Sequence, residues 1–187
     1  MHVLALSGST RPGSTSEGAL HAVSRLLAER TATVTHLTGR ELLLPVYDTE
    51  STERQPGVLR LLAEVTRADA VILASPGYHA GMSGLLKNAL DYLEDTASAD
   101  RPYFTDRPVG LIATARGWQA AVATLAGMRS VVHALRGWPT PLGVCINSAL
   151  TPVTPDGRCA DPAVIAQLTT LADQVLRGPI RHQTARD

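Results

Sequence analysis

Between Gly8 and Ser16 the chain runs Gly-Ser-Thr-Arg-Pro-Gly-Ser-Thr-Ser, five hydroxyls and one guanidinium in nine residues. Ser9, Thr10, Ser14, Thr15 and Ser16 can donate or accept hydrogen bonds, and Arg11 presents a planar cationic fork. Gly8 and Gly13 leave the backbone free to turn. The apolar run Leu4-Ala5-Leu6 precedes this stretch, and a helical pattern from about Thr15 to Glu29 follows it. Strand, loop and helix in that order place the unpaired N–H groups and the positive dipole end of a helix beside the hydroxyls. The chemistry such a loop suits is the holding of a phosphate. A plain serine cap would also sit here, but six polar groups around one turn exceed what a cap needs.

The loop is not one of the common nucleotide loops. It lacks the lysine followed by Ser or Thr of a Walker loop, and Gly8 to Gly13 does not spell G-x-G-x-x-G. A hydroxyl-rich loop after the first strand suits a terminal monophosphate, the way flavodoxin-like folds hold FMN where the strand order reverses.

Two further stretches have unusual composition: Pro76-Gly77-Tyr78-His79-Ala80-Gly81-Met82-Ser83-Gly84 and Thr114-Ala115-Arg116-Gly117-Trp118. Each follows an apolar run. Ala70 to Ser75 reads as a strand buried on both faces, and Pro108 to Thr114 as the next. With Val3–Ser7, Val34–Leu37 and Leu142–Ile146, five strands alternate with helices over Thr15–Glu29, Val58–Val65, Gly84–Leu93, Ala120–Leu135 and Ala163–Leu176. This alternation predicts one α/β domain, residues 1–178, with a parallel sheet covered on both sides, and residues 179–187 as a flexible tail. The three unusual loops follow strands one, three and four, so they share the sheet edge where ligands bind. Segment 41–48 is read as a loop over the sheet edge.

Composition narrows the function classes. The 187 residues carry 17 basic and 17 acidic side chains, which argues against a broad electrostatic surface for nucleic acid or anionic membrane. Only Cys145 and Cys159 are present, so a disulfide framework is not expected. No apolar run approaches membrane-span length. The start lacks a secretory signal, and the expected location is cytoplasmic. No cluster of His, Cys and Asp has metal-ligand spacing.

On two of these stretches the chain resembles the NAD(P)H-dependent FMN reductases of flavodoxin-like fold. Gly8, Ser9, Arg11, Ser14 and Ser16 occupy the form G-S-x-R-x-x-S-x-S. Pro76, Tyr78, Ser83, Gly84, Leu86, Lys87 and Asn88 occupy the strand-P-x-Y-x…S-G-x-L-K-N element. The subgroup it is most similar to serves two-component alkanesulfonate-type monooxygenases. Gly77, His79 and the third loop depart from the wider pattern. The resemblance implies a three-layer α/β/α fold with a five-stranded parallel sheet in order 2-1-3-4-5, and FMN and NAD(P)H as cofactors. It implies that Ser9, Arg11, Ser14 and Ser16 hold the flavin phosphate, with Thr10 donating through its backbone. Pro76, Gly77, Tyr78 and His79 would edge the ring, and Thr114, Ala115, Gly117 and Trp118 would form the other wall. No side chain is expected to be essential as acid or base, because the cofactor carries the reactive atom.

The first reading is therefore an NAD(P)H:FMN oxidoreductase that passes reduced flavin to a partner monooxygenase or another acceptor. The alternatives are a reductase that keeps FMN and acts on a quinone, azo compound or metal ion, a flavodoxin-type electron carrier, and a non-enzymatic binding module. The zero net charge of the chain disfavours the electron carrier, which needs an acidic surface to steer its partners. The helix after Gly84 carries Leu85, Leu86, Ala89, Leu90, Tyr92 and Leu93. More of these are apolar than one sheet is expected to cover, so the helix is expected to pair with its copy in a homodimer or tetramer.

Overall fold

The computed structural model describes residues 1–178; the tail expected over 179–187 lies outside the described residues. The elements are β1 (His2–Ser7), α1 (Thr15–Ala28), β2 (Thr33–Thr38), α2 (Pro56–Arg67), β3 (Ala70–Tyr78), β4 (Gly81–Met82), α3 (Gly84–Asp91), β5 (Pro108–Ala115), α4 (Trp118–Ala134), β6 (Trp138–Pro139), β7 (Val144–Asn147) and α5 (Pro162–Arg177). Short 3-10 turns cover Gly39–Leu42 and Tyr92–Thr96.

The sheet runs β2-β1-β3-β5, all parallel, and β5 then pairs with β6 near its start and with β7 near its end. This is the expected order 2-1-3-4-5, with two differences. The last position is shared by two short strands, because Pro141 and the turn around it interrupt the ladder between Pro139 and Val144. The third strand runs past Ser75 to Tyr78 and folds back on β4 as a hairpin, with Gly77 opposite Met82 and Tyr78 opposite Gly81.

The central strands are apolar on both sides, as a parallel sheet between two helical layers requires. One face buries Leu4, Leu6, Val71, Leu73, Leu111 and Ala113 against α2, α3 and α4. The other buries Val3, Ala5, Ile72, Ala74 and Ile112 against α1 and α5.

The expected exposed face of α3 is not there. Leu86, Ala89, Leu90, Tyr92 and Leu93 are all buried within one chain. The covering comes from segment 43–55, whose backbone is fastened to the helix. Asn88 accepts from the Tyr47 N–H at 2.8 Å and donates to the Pro45 carbonyl at 2.7 Å. Tyr47 meets Tyr92 edge-on at 5.2 Å, and the Arg54 guanidinium lies over both rings while pairing bidentately with Asp95. The sequence reading assigned this cover to a second subunit; the chain supplies it itself.

A buried cation ties the far end of the sheet together. Arg107 is wholly buried and donates to the carbonyls of Ala68, Tyr103 and Thr66 at 2.8, 2.9 and 3.1 Å. Burial away from water, with Arg101 nearby, lowers its pKa to about 10. Two of these carbonyls lie at the C-terminal end of α2, where a cation is favoured. Among the described residues, no helix is long and apolar enough to cross a membrane.

Candidate functional site

Strand register decides which residues meet. Ser7 lies opposite Ala74, Pro76 opposite Thr114, and Ala115 opposite Asn147, so β1, β3, β5 and β7 end together at one sheet edge. The loops that leave those ends surround a cleft of about 500 Å³, a size suited to a small-molecule cofactor.

The first wall is the loop after β1 and the opening turn of α1. Ser9, Arg11, Ser14, Thr15 and Ser16 line the cleft. Ser14 caps α1, its hydroxyl accepting from the Glu17 N–H at 3.2 Å, and the Glu17 carboxylate accepts from the Gly13 N–H at 3.0 Å. The Ser9 hydroxyl accepts from the Arg11 N–H at 3.3 Å. Gly8 is required by close approach: a Cβ there would lie 2.3 Å from Ser83 Oγ. Gly13 stands at φ +64°, where a side chain would be strained.

The second wall is the end of β3, where Pro76, Gly77 and Tyr78 line the cleft. Ser75 fastens this strand to α3, its hydroxyl accepting from the Ser83 N–H and donating to the Pro76 carbonyl, both at 2.9 Å. The third wall comes from Thr114, Ala115, Arg116 and Gly117, joined by Ala120 of α4 and Ser148 after β7. Ser148 is held by its own N–H, which donates to the Ala115 carbonyl at 2.8 Å.

Ten of the thirteen expected residues therefore line one cleft. Thr10, His79 and Trp118 do not. Thr10 is exposed on the loop. His79 and Ala80 form the two-residue turn of the β3–β4 hairpin, both at positive φ, and this turn carries His79 outward. Trp118 is the first residue of α4 and about half exposed. Thr15, Ala120 and Ser148 line the cleft without having been assigned to it, and Arg116 lines it from within the third loop. Ser148 gave no signal because it follows the shortest of the four strands and sits in no glycine-rich stretch.

The donor set is one-sided. The lining carries five Ser or Thr hydroxyls besides Thr15 and Tyr78, two arginines, and no Asp, Glu, His, Cys or Lys. Among the described residues neither Arg11 nor Arg116 has a carboxylate partner, and no group of His, Cys, Asp and Glu could hold a metal ion. Hydroxyls, a helix N-terminus and unneutralised guanidinium groups fit a ligand bearing a phosphate dianion.

Residues 1–150 match the model of a family described as NADPH-dependent FMN reductase. The chain belongs to this family. Relatives with sequence similarity include an NADPH azoreductase of Bacillus sp. (strain OY1-2), 39% identical over 88 residues, which are 46% of each chain. The FMN-dependent NADPH-azoreductase of Staphylococcus aureus is 37% identical over 82 residues, 44% of this chain and 40% of that one. The match thus spans less than half the length of either relative. Among solved structures, the flavoenzyme NAD(P)H:(acceptor) oxidoreductase FerB of Paracoccus denitrificans superposes with a TM-score of 0.74 at 21% identity, covering 96% of this chain and 99% of that one. The NADH:FMN oxidoreductase EMOB superposes at 0.72 and 22% identity, covering 98% and 92%. At that identity the likeness is one of fold, and the family's flavodoxin-like α/β architecture is the one seen here.

Proposed function

We propose that this member of the FMN reductase family transfers a hydride from NADPH or NADH to FMN. The observation that supports this reading most directly is the cleft with hydroxyls and guanidinium groups on its walls and no carboxylate. Bound FMN supplies the hydride acceptor. The chain's part is to bind and orient. Ser9, Arg11, Ser14 and Ser16 hold the flavin phosphate against the first turn of α1. Pro76 and Gly77 on one side, and Thr114, Ala115 and Gly117 on the other, would edge the ring. The cleft has no imidazole, carboxylate, thiol or amine to move a proton, and hydride transfer needs none.

A second reading, a reductase that retains FMN and acts on an azo compound or quinone, draws support from the names of the two azoreductase relatives. In the first reading reduced flavin leaves for a partner monooxygenase; in the second it does not. A cytoplasmic location accords with both. Pairing with a second copy belongs to the proposal as well, through a different surface from the one expected. With α3 covered, the large apolar side chains left exposed include Tyr78, Trp118, Val122 and Leu150.

The test is a titration of the purified protein with FMN and with riboflavin, followed by NAD(P)H oxidation at varied free FMN. FMN should bind far more tightly than riboflavin, and oxidation should require flavin. Equal affinity for the two flavins rejects the phosphate assignment. A rate that saturates with free FMN favours the first reading, and a rate independent of added FMN favours the second.

A further inference from the structure

Arg11 and Arg116 lie on different walls of the cleft. Arg11 follows β1 and Arg116 follows β5, and β3 runs between these strands in the sheet. The strands that carry them are thus two spacings, or roughly 10 Å, apart in the sheet. Around Arg11 the chain gathers Ser9, Ser14 and Ser16 and the capped start of α1, enough donors for one phosphate. Around Arg116 nothing competes. It is exposed, and among the described residues it makes no hydrogen bond and no ion pair. Gly117 after it caps α4 without any side-chain hydrogen bond, so the first N–H groups of that helix add to the positive field beside the guanidinium. A cation that the fold neither pairs nor buries, on the wall of a cleft without carboxylates, is a recognition element for a second anion.

We infer that Arg116 binds a phosphate of the nicotinamide dinucleotide, separate from the flavin phosphate held by Arg11. The inference rests on the reading of this cleft as a flavin and nicotinamide site. The phosphate has two sources: the pyrophosphate common to both dinucleotides, or the 2′-phosphate that only the phosphorylated one carries.

The test is direct binding, without turnover. Wild-type protein, Arg116→Ala and Arg116→Lys are saturated with FMN and titrated by calorimetry with NADP⁺ and with NAD⁺. The FMN dissociation constant of each is measured beforehand. FMN affinity should change less than about twofold in Arg116→Ala, while the dinucleotide weakens at least about tenfold, the scale of a hydrogen bond to a charged group. Loss confined to NADP⁺ assigns Arg116 to the 2′-phosphate, and equal loss for both assigns it to the pyrophosphate. Arg116→Lys should recover part of the loss, since it restores charge without the fork. Unchanged binding of both dinucleotides, or a tenfold loss of FMN affinity, overturns the inference. Wild-type protein that binds FMN but neither dinucleotide overturns it too, with the flavin reading intact. Wild-type protein that binds no FMN overturns that reading instead, and the dinucleotide titrations on the flavin-free protein still report on Arg116.

Discussion

The Ser16 and Thr114 hydroxyls meet at 2.7 Å, buried, across 98 positions of chain. This contact ties the first turn of α1 to the end of β5, and so one wall of the cleft to the other. Removing either partner leaves a buried hydroxyl without its bond. Ser16→Ala and Thr114→Val should each destabilise the fold by about 1–3 kcal/mol, and the double variant by clearly less than the sum. Urea denaturation of the four proteins checks this; strictly additive losses would mean the contact carries no coupling.

Arg11 should carry the affinity for the flavin phosphate. Arg11→Ala is expected to weaken FMN by about 1.5–3 kcal/mol and to leave riboflavin nearly unaffected. Lysine in its place should recover little of the lost affinity, since it lacks the fork. Fluorescence titration with both flavins reads this difference.

Two glycines should respond in opposite directions. A Cβ on Gly18 would lie 2.4 Å from the Thr154 carbonyl oxygen, where segment 151–158 lies across α1. That neighbour is backbone, held by hydrogen bonds from His21 and Arg25 to the Pro155, Asp156 and Gly157 carbonyls. Gly18→Ala should cost about 1–3 kcal/mol through overpacking. Gly84, at the start of α3, has open space where its Cβ would stand. Gly84→Ala should stabilise by about 0.4–1 kcal/mol through the unfolded chain. Thermal melts of the pair give the sign directly.

The hairpin turn at His79-Ala80 places two non-glycine residues at φ +50° and +65°. Two-residue hairpin loops of this kind favour Asn-Gly. His79→Asn with Ala80→Gly should therefore raise the melting temperature. Because His79 lies outside the cleft lining, His79→Gln should change turnover by much less than the roughly 10²–10⁴-fold of a lost general catalyst. A thousand-fold loss with flavin still bound would contradict the assignment of no acid or base.

His36, on the edge strand β2, should make stability fall in mild acid. Burial lowers its pKa below the ordinary 6.5, and His21 beside it lowers it further, against smaller opposing effects of Glu17 and Glu41. The unfolded chain then takes up a proton more readily than the folded one. The stability associated with a neutral His36 is present above about pH 6.5 and is lost as pH falls from there through the depressed folded value. Urea midpoints measured from pH 7.5 to 5 should drop more steeply in the wild type than in His36→Gln.

Much of this protein was legible in local pattern. Apolar runs such as Ala70–Ala74, helical stripes and the hydroxyl-rich turn at Ser9–Ser16 are short-range signals, and they suffice to place three loops on one edge of a parallel sheet; the strand order rests on the family resemblance. What lay beyond reach depended on contacts between distant residues. The cover over α3 depends on Asn88 binding segment 45–47, and a helix with apolar residues on several sides does not reveal whether its own chain or a second one buries them. The turn at His79-Ala80 lacks the glycine that announces a hairpin, so the histidine expected at the ring lies outside the cleft lining. Ser148 enters the cleft only because register sets Ala115 opposite Asn147. Local sequence sets which backbone forms a strand or a helix; which side chains share a cavity is decided by pairing across the sheet, and pairing is a tertiary choice.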